Sequence, residues 1–500
     1  MRKKKSLYNI VGSLAAYIIA MIFTFITQGI IVKVLGIEYS GVNGLFTNIL
    51  TMLSVAELGL GTTIIFKLYE PISKGDKDSI KSWLNYYKIC YRYVALIVLV
   101  IGVVIIPFVP YIVGETTINE NITLLYLIAL IDTVLSYVMT YKRSLLYADQ
   151  KNYIINFIHI GYVIFMNITQ IIILYLTKNF YYFLEIKLVY RLLENIIINV
   201  YVDKKYPYIK EKANKISKNE KKDFSERIKA MILQKISFVI NKGIDNITIS
   251  LFLGVSAVGY YTNYNLIATT LCGIVFQMIS GFSASVGNLL TEENEEKNYE
   301  IFKRINFINS FVTAICISGY LCCIRDFITI WLGSKYLLPL DVVVSFSIYI
   351  YSDSIRRSIT IFKEAAGICK EDQMMYVFMA TINLVTSIIL CKFIGISGVI
   401  IGTALSYLFL IFYSYPKYIF KSVFKKSIKY YYSIISKNIL IIIISCIFGF
   451  LITNIITIKN NIIEFLMLGI ITMFITGLTF LLFNKDNEEL KYFKKLIIKK

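Results

Sequence analysis

Four ionisable side chains stand where a water-avoiding segment should have none. Glu57 lies in GVNGLFTNILTMLSVAELGLGTTIIF, and Lys235, Lys242 and Asp245 lie in ILQKISFVINKGIDNITISLFL. A charge at the centre of a bilayer costs at least about 2.5–3.5 kcal/mol, so each needs a partner, a proton or a ligand. Glu57 is roughly 10 residues from the inner end of its run, about 15 Å at 1.5 Å per residue, too deep to reach the headgroups. Read as one continuous helix, Asn43, Thr47, Leu50, Ser54, Glu57 and Gly61 share a face that is polar or small apart from Leu50. Ser13, Tyr17, Ala20, Thr24 and Gln28 form a similar stripe in the first apolar run. The seventh run adds Gln234, Asn241 and Thr248 to its charges, and the eighth carries Asn263, Asn265, Gln277, Ser280 and Ser283. Such faces suit a central, water-filled cavity. Glu57 has two readings: an ion-coupling or substrate group, or a structural carboxyl paired with Lys242 or Arg92 or hydrogen-bonded in its protonated form. Lys235 and Lys242, two cations on one face, call for anionic company. Further charges lie inside runs or at their edges (Lys88, Asp132, Glu185, Lys187, Arg191, Glu194, Asp353, Arg356 and Arg357), and several of these must pair internally.

The elements that position these residues follow from composition. The 500 residues are 57% hydrophobic and 17% charged, against about 25% charged in soluble domains. The mean hydropathy is +0.66. Apolar stretches of about 20 residues recur along the chain and predict membrane helices. We read fourteen spans, about 6–32, 41–66, 83–109, 121–141, 153–176, 181–201, 230–252, 259–286, 305–330, 339–361, 374–391, 396–415, 438–457 and 462–483. The first follows MRKKK but is far longer than a signal-peptide core of roughly 7–15 residues, so it reads as an uncleaved span. With the N-terminus inside, the inner segments carry 40 Lys and Arg and the outer ones 6, which predicts both termini on the cytoplasmic side. This alternation accounts for the net charge of +20 as contact with an anionic inner leaflet, without nucleic acid. The eight cysteines have no metal-type spacing and mostly sit in apolar runs, as small buried side chains.

The halves repeat. Leu35, Gly36 and Gly41 match Leu253, Gly254 and Gly259, and Ala148 matches Ala366, all at an offset of 218. Two runs of six spans in the same orientation describe a parallel duplication, an arrangement that places transporter sites near the midplane. The expected organisation is an all-α polytopic membrane protein: an N-terminal lobe at 1–202, a basic cytoplasmic linker at 203–229, a C-terminal lobe at 230–420, and two last spans with a basic tail at 421–500. The six prolines stand at or near span ends, so conformational change falls to glycines such as Gly12, Gly59 and Gly61 or to rigid rocking. There is no Walker motif, and the only histidine, His159, reads as a hydrogen-bonded core residue.

The stretch VLGIEYSGVNGLFTNILTMLSVAELGLGTTIIFKLYEPISKGDKDSIKSWLNYYKICYR is similar to the early part of bacterial polysaccharide repeat-unit flippases, and KGIDNITISLFLGVSAVGYYTNYNLI resembles the start of their second half. These flippases belong to the multidrug/oligosaccharidyl-lipid/polysaccharide exporter superfamily. The resemblance implies an alternating-access carrier in the bacterial cytoplasmic membrane. It would move an undecaprenyl-pyrophosphate-linked oligosaccharide from the inner to the outer leaflet for cell-surface polysaccharide biosynthesis. It also implies a cationic cavity. Lys235, Lys242, Arg92 and Arg356 would face the pyrophosphate, and Asn241, Asn263 and Tyr17 the sugars. Glu57 and Asp245 would couple an H+ or Na+ gradient. No cofactor, metal or catalytic residue is expected, and the partners implied are membrane lipids, the lipid-linked glycan and a neighbouring polysaccharide polymerase. The alternatives are a drug/cation antiporter of the same superfamily, against which the paired lysines count, and a flippase for the peptidoglycan lipid precursor. A polymerase would need a long outer loop, and an acyltransferase would have only His159 as its base.

Overall fold

The structure is a computed structural model that describes every residue except Met1, Leu58, Gly59, Lys215, Glu293, Cys369, 454–460, Lys499 and Lys500. The side chain of Gln234 also lies outside the described residues, as do Gly59, expected above to serve conformational change, and Lys459, counted above among the outer cations. The described residues form helices and no strands. In order they are α1 (Arg2–Val34), α2 (Ile37–Leu53), α3 (Leu60–Lys74), α4 (Lys77–Ile105), α5 (Val109–Val113), α6 (Ile122–Val138), α7 (Arg143–Ala148), α8 (Asn152–Thr177), α9 (Phe180–Lys205) and α10 (Lys218–Leu253). Next come α11 (Val255–Ser280), α12 (Ser283–Glu292), α13 (Glu295–Trp331), α14 (Leu340–Ile355), α15 (Arg357–Ala365), α16 (Gln373–Ile394) and α17 (Ile396–Phe409). The last are α18 (Lys421–Phe424), α19 (Ile428–Thr453), α20 (Asn461–Phe483) and α21 (Glu488–Ile498).

Among the described residues, ten helical stretches are long and apolar enough to cross a bilayer on their own. The other predicted spans fall on helices that are broken, short or polar. α2 has 17 residues and α14 has 16. α9 carries Glu185, Lys187, Arg191 and Glu194. α11 is rich in Asn, Thr and Ser.

The repeat is visible in the backbone. Gly36 and Gly254 both take positive φ (112° and 85°), each at the junction between one long helix and the next. Asp76 caps α4 and Asn294 caps α13, with side-chain oxygens accepting backbone N–H bonds at equivalent places. α4 and α13 begin at Lys77 and Glu295, and α6 and α14 at Ile122 and Leu340, each pair 218 residues apart.

The contacts divide the chain into two compact units, Met1–Thr262 and Asn263–Lys500. In the first unit α1 packs on α8, and α6 on α4 and α9. α10, which opens the second repeat, lies along α2. Close approach needs small residues, because lipid offers no hydrophobic gain for bringing helices together. A Cβ built on Gly41 would stand 2.1 Å from the Val255 carbonyl oxygen, and one on Gly259 would stand 2.3 Å from the Ile37 carbonyl oxygen. Repeat-equivalent glycines thus seat the starts of α2 and α11 against each other. Buried polar bonds add to this, as where the Thr27 hydroxyl on α1 donates to Asn167 Oδ1 on α8 at 2.6 Å. In the second unit Gly398 and Gly402 bring α17 onto α16. α19 and α20 join that unit through α13: Asn438 donates to Ser310 Oγ and Thr476 to Ser318 Oγ, both at 2.8 Å. Outward faces such as Tyr93, Leu96, Val100 and Val104 of α4, or Ile470 and Phe474 of α20, are exposed and apolar, as lipid contact requires. The chain is a multi-pass membrane protein.

Candidate functional site

The stretch around Glu57 differs from the continuous helix expected. α2 ends at Leu53, a single 3₁₀ turn covers Ser54–Glu57, and α3 begins at Leu60. Leu58 and Gly59, between them, lie outside the described residues. The shared face therefore holds from Asn43 to Ser54 but does not carry through to Gly61 as one helical surface. Interrupted helices at membrane depth line protein-enclosed cavities, where freed backbone groups find partners.

The partner of Glu57 is a tyrosine. The Tyr91 hydroxyl of α4 donates to Glu57 Oε1. Tyr87, one turn earlier on α4, packs edge-on against Tyr91 with ring centroids 4.5 Å apart. Tyr137 of α6 also interacts with this carboxylate, and Lys235 is a cation near enough to feel its charge. Neither Lys242 nor Arg92, the partners expected from sequence, is the group that bonds it. The signal for this cage was the pair Tyr87 and Tyr91, four residues apart on one face.

Beside it, α2, α6 and α9 line a cavity of about 220 Å³. Asn43, Thr47, Leu50 and Ser54 of the predicted face line it, opposite Asp132, Lys187 and Arg191. The hydroxyls of Thr47, Thr51, Ser54, Thr133 and Ser136 all donate to carbonyls of their own helices. Their oxygens keep lone pairs to accept from a ligand. Asp132 lies 3.4 Å from both Lys187 Nζ and Arg191 Nε. Behind them Glu194, fully buried, meets Arg143 at 3.1 Å, Arg191 at 3.5 Å and His159 Nδ1 at 2.9 Å. The sequence named these charges and required internal pairing; only the fold shows who pairs with whom.

The remaining sequence-predicted residues divide by burial. Arg92 on α4 and Lys242 on α10 are exposed, and Tyr17 and Lys235 are half-buried. Asn241, Asp245, Asn263 and Arg356 are buried. Asp245 accepts from the Tyr261 hydroxyl of α11 at 3.0 Å, so it faces a neighbouring helix, while the Lys242 ammonium lies 5.0 Å from the Phe238 ring centroid. Arg356 pairs with Asp353, which also binds Arg357, and stacks 4.5 Å from the Tyr407 ring centroid. Its guanidinium is held inside its unit and not on an open face. Among the described residues, no group of His, Cys, Asp and Glu is arranged to hold a metal ion.

A helical membrane bundle with duplicated halves and charged side chains at membrane depth is the setting in which the comparisons with known proteins are read. The polysaccharide biosynthesis protein family matches residues 3–281, and the chain belongs to that family. Comparison with curated proteins gives no match. Among solved structures, the lipid II flippase MurJ in an inward closed conformation is similar at 16% identity and a TM-score of 0.69, covering 98% of this chain and 100% of its own. An inward-facing multidrug resistance MATE family transporter of the MOP superfamily is similar at 14% identity and a TM-score of 0.61, covering 80% and 94%. A MOP superfamily transporter from Pyrococcus furiosus, described as having a binding pocket of reverse polarity, follows at 10% identity and a TM-score of 0.53, covering 80% and 93%. These likenesses establish the fold. These three solved neighbours are themselves described as a flippase and as transporters.

Proposed function

We propose that this chain is a flippase that carries an undecaprenyl-pyrophosphate-linked oligosaccharide repeat unit across the bacterial cytoplasmic membrane by alternating access, for cell-surface polysaccharide biosynthesis. Both termini face the cytoplasm in this reading. The observation that carries it is the exposure of two cations on membrane helices, Arg92 and Lys242, in a chain of the polysaccharide biosynthesis family. A diphosphate headgroup would meet these cations. The hydroxyl-lined cavity at Asp132, Lys187 and Arg191 suits sugar hydroxyls, which both donate and accept. In the second unit an almost wholly apolar groove of about 540 Å³ between α13, α14, α17 and α19 has the character a polyprenyl tail requires. Glu57, bonded by Tyr91 at a helix break, is the coupling carboxylate for H+ or Na+.

A drug/cation antiporter is the second reading. The MATE likeness leaves about a fifth of this chain unmatched, whereas the MurJ likeness includes its last two long helices. That difference favours a lipid-linked substrate, and a peptidoglycan lipid precursor is the alternative within that class.

The test is transfer of a fluorescent undecaprenyl-pyrophosphate oligosaccharide between leaflets of liposomes holding the purified protein, with and without an ion gradient. We expect protein-dependent transfer, and its loss in both Lys242→Ala and Glu57→Gln at normal protein levels. Gradient-driven efflux of a cationic dye without lipid transfer would replace the flippase by the antiporter. Normal transfer by both variants would remove these residues from the site.

A further inference from the structure

A second cavity in the first unit, of about 480 Å³, lies where α4 and α7's approach meet the segment after α9. It is within the range of about 300–1,000 Å³ that small-molecule sites occupy. The transport reading makes no use of it. Its wall carries five lysines, Lys81, Lys88, Lys142, Lys210 and Lys212, and two acids, Asp203 and Glu211. Taken as charged, the lining is therefore net positive by three.

The pairing within it is uneven. Lys81 is bridged by Glu211 at 2.9 Å and by Asp78 at 2.8 Å. Lys142 bonds Asp203, which Lys210 approaches at 3.7 Å. Among the described residues, neither Lys88 nor Lys212 has a carboxylate within ion-pair distance. Lys88 lies 5.7 Å from the centroid of the Tyr141 ring, another wall of the cavity. Such a ring contact holds the ammonium in place without neutralising it. The Asn85 amide stands beside it on α4 as a further donor. Arg92 lies one turn beyond Lys88 on α4, so the same helix carries cations from this cavity toward membrane depth.

The roof is built in. Asp203 and Glu211 are held by their bonds to Lys142 and Lys81, and further along the chain Asp223 pairs with Lys67 at 2.5 Å. Phe224 is buried against Trp83 and Tyr86, with ring centroids 5.8 and 5.5 Å apart. The cavity thus gathers five lysines on one lining, and like charges in one cavity repel unless an anion joins them.

We propose that this cavity binds a phosphate-bearing ligand, with Lys88 and Lys212 as its principal contacts. The ligand is either a free or diffusible diphosphate or the headgroup of an anionic lipid at the same membrane face. The site goes beyond the flippase reading and stands without it.

The experiment uses the full chain in phosphatidylcholine discs and measures retention of radiolabelled inorganic pyrophosphate by equilibrium dialysis at about 0.15 M salt. Wild type should retain it saturably, and the double variant Lys88→Gln/Lys212→Gln should bind about tenfold more weakly. Neither lysine has an acidic partner to strand, so the variant should keep its thermal midpoint. Glu211→Gln, which removes a competing acid, should bind more tightly. Retention lost when the discs contain phosphatidylglycerol assigns the site to a lipid headgroup; retention in both disc types assigns it to a diffusible phosphate. Absence of saturable binding, or equal binding by wild type and the folded double variant, overturns the proposal. A failed leaflet-transfer assay leaves this result intact, so the two ideas fail separately.

Discussion

Replacing Gly41 by alanine tests the packing on which the first unit rests. The new Cβ would lie 2.1 Å from the Val255 carbonyl oxygen and 3.0 Å from the Gly259 nitrogen, where ordinary contact begins at 3.4 Å. Both neighbours are backbone, so α2 and α11 must separate by roughly 1.3 Å, the difference between the first and last of these distances. Overpacking of this kind costs about 1–3 kcal/mol, and an immovable neighbour places it near the upper end. Alanine recovers about 0.5–1 kcal/mol of helix preference, leaving a net loss of about 2 kcal/mol. On the globular-protein scale of about 2.1 cal/mol/K per residue, the 262 residues of this unit melt with an entropy near 0.55 kcal/mol/K. The expected fall in thermal midpoint is therefore about 4 °C, read by heating the purified protein in detergent. Gly161→Ala is the control. Nothing lies within 4 Å of its Cβ position in α8, so the same substitution should leave the midpoint unchanged or raise it by a degree or two. Gly259→Ala should behave like Gly41→Ala, and the double variant should cost less than the two singles together, because both relieve one contact. A Gly41→Ala midpoint equal to that of Gly161→Ala would refute the backbone-to-backbone packing of the two repeat starts.

Two further outcomes follow from buried and capped charges. Asp353→Asn strands the buried Arg356 and the largely buried Arg357, and breaking such a pair costs about 3–5 kcal/mol. It should sharply lower the thermal midpoint, whereas Glu70→Gln, in the exposed Glu70–Lys74 pair, should shift it within error; equal effects would contradict the assigned burial. Glu38, just ahead of the second predicted span, would be pushed up by burial, but bonds from the Thr116 hydroxyl, the Thr117 N–H and the Ser256 and Thr117 hydroxyls bring it below its ordinary value of 4.5. A lowered carboxylate stabilises the fold above its unfolded value and loses that contribution as pH falls through the folded one. Melting scans from neutral pH down to about 3 should therefore show a decline below about pH 4.5 that is weaker in Glu38→Gln; superimposable curves would exclude this role.

The sequence by itself determined the class. Long apolar runs cannot remain in water, and helices satisfy their own backbone in lipid, so the helical fold and the ten long apolar helices among the described residues were legible from hydropathy alone. The duplication was legible as well, because a positive-φ junction admits glycine and little else, which preserves Gly36 and Gly254 at one offset. The polar face from Asn43 to Ser54 could be read because helical periodicity holds while the helix does. It failed at the 3₁₀ turn Ser54–Glu57, where the hydrogen-bond register changes. Only the tertiary structure decided that Glu57 answers to Tyr91, that Asp245 turns toward Tyr261, and that Arg356 is consumed by Asp353. It alone gathered Lys88 and Lys212 into one chamber. Periodicity assigns a side chain to a face of its own helix; which helix meets that face depends on packing between segments distant in the chain, and the strong dependence of charge interactions on distance makes that packing decide the partner.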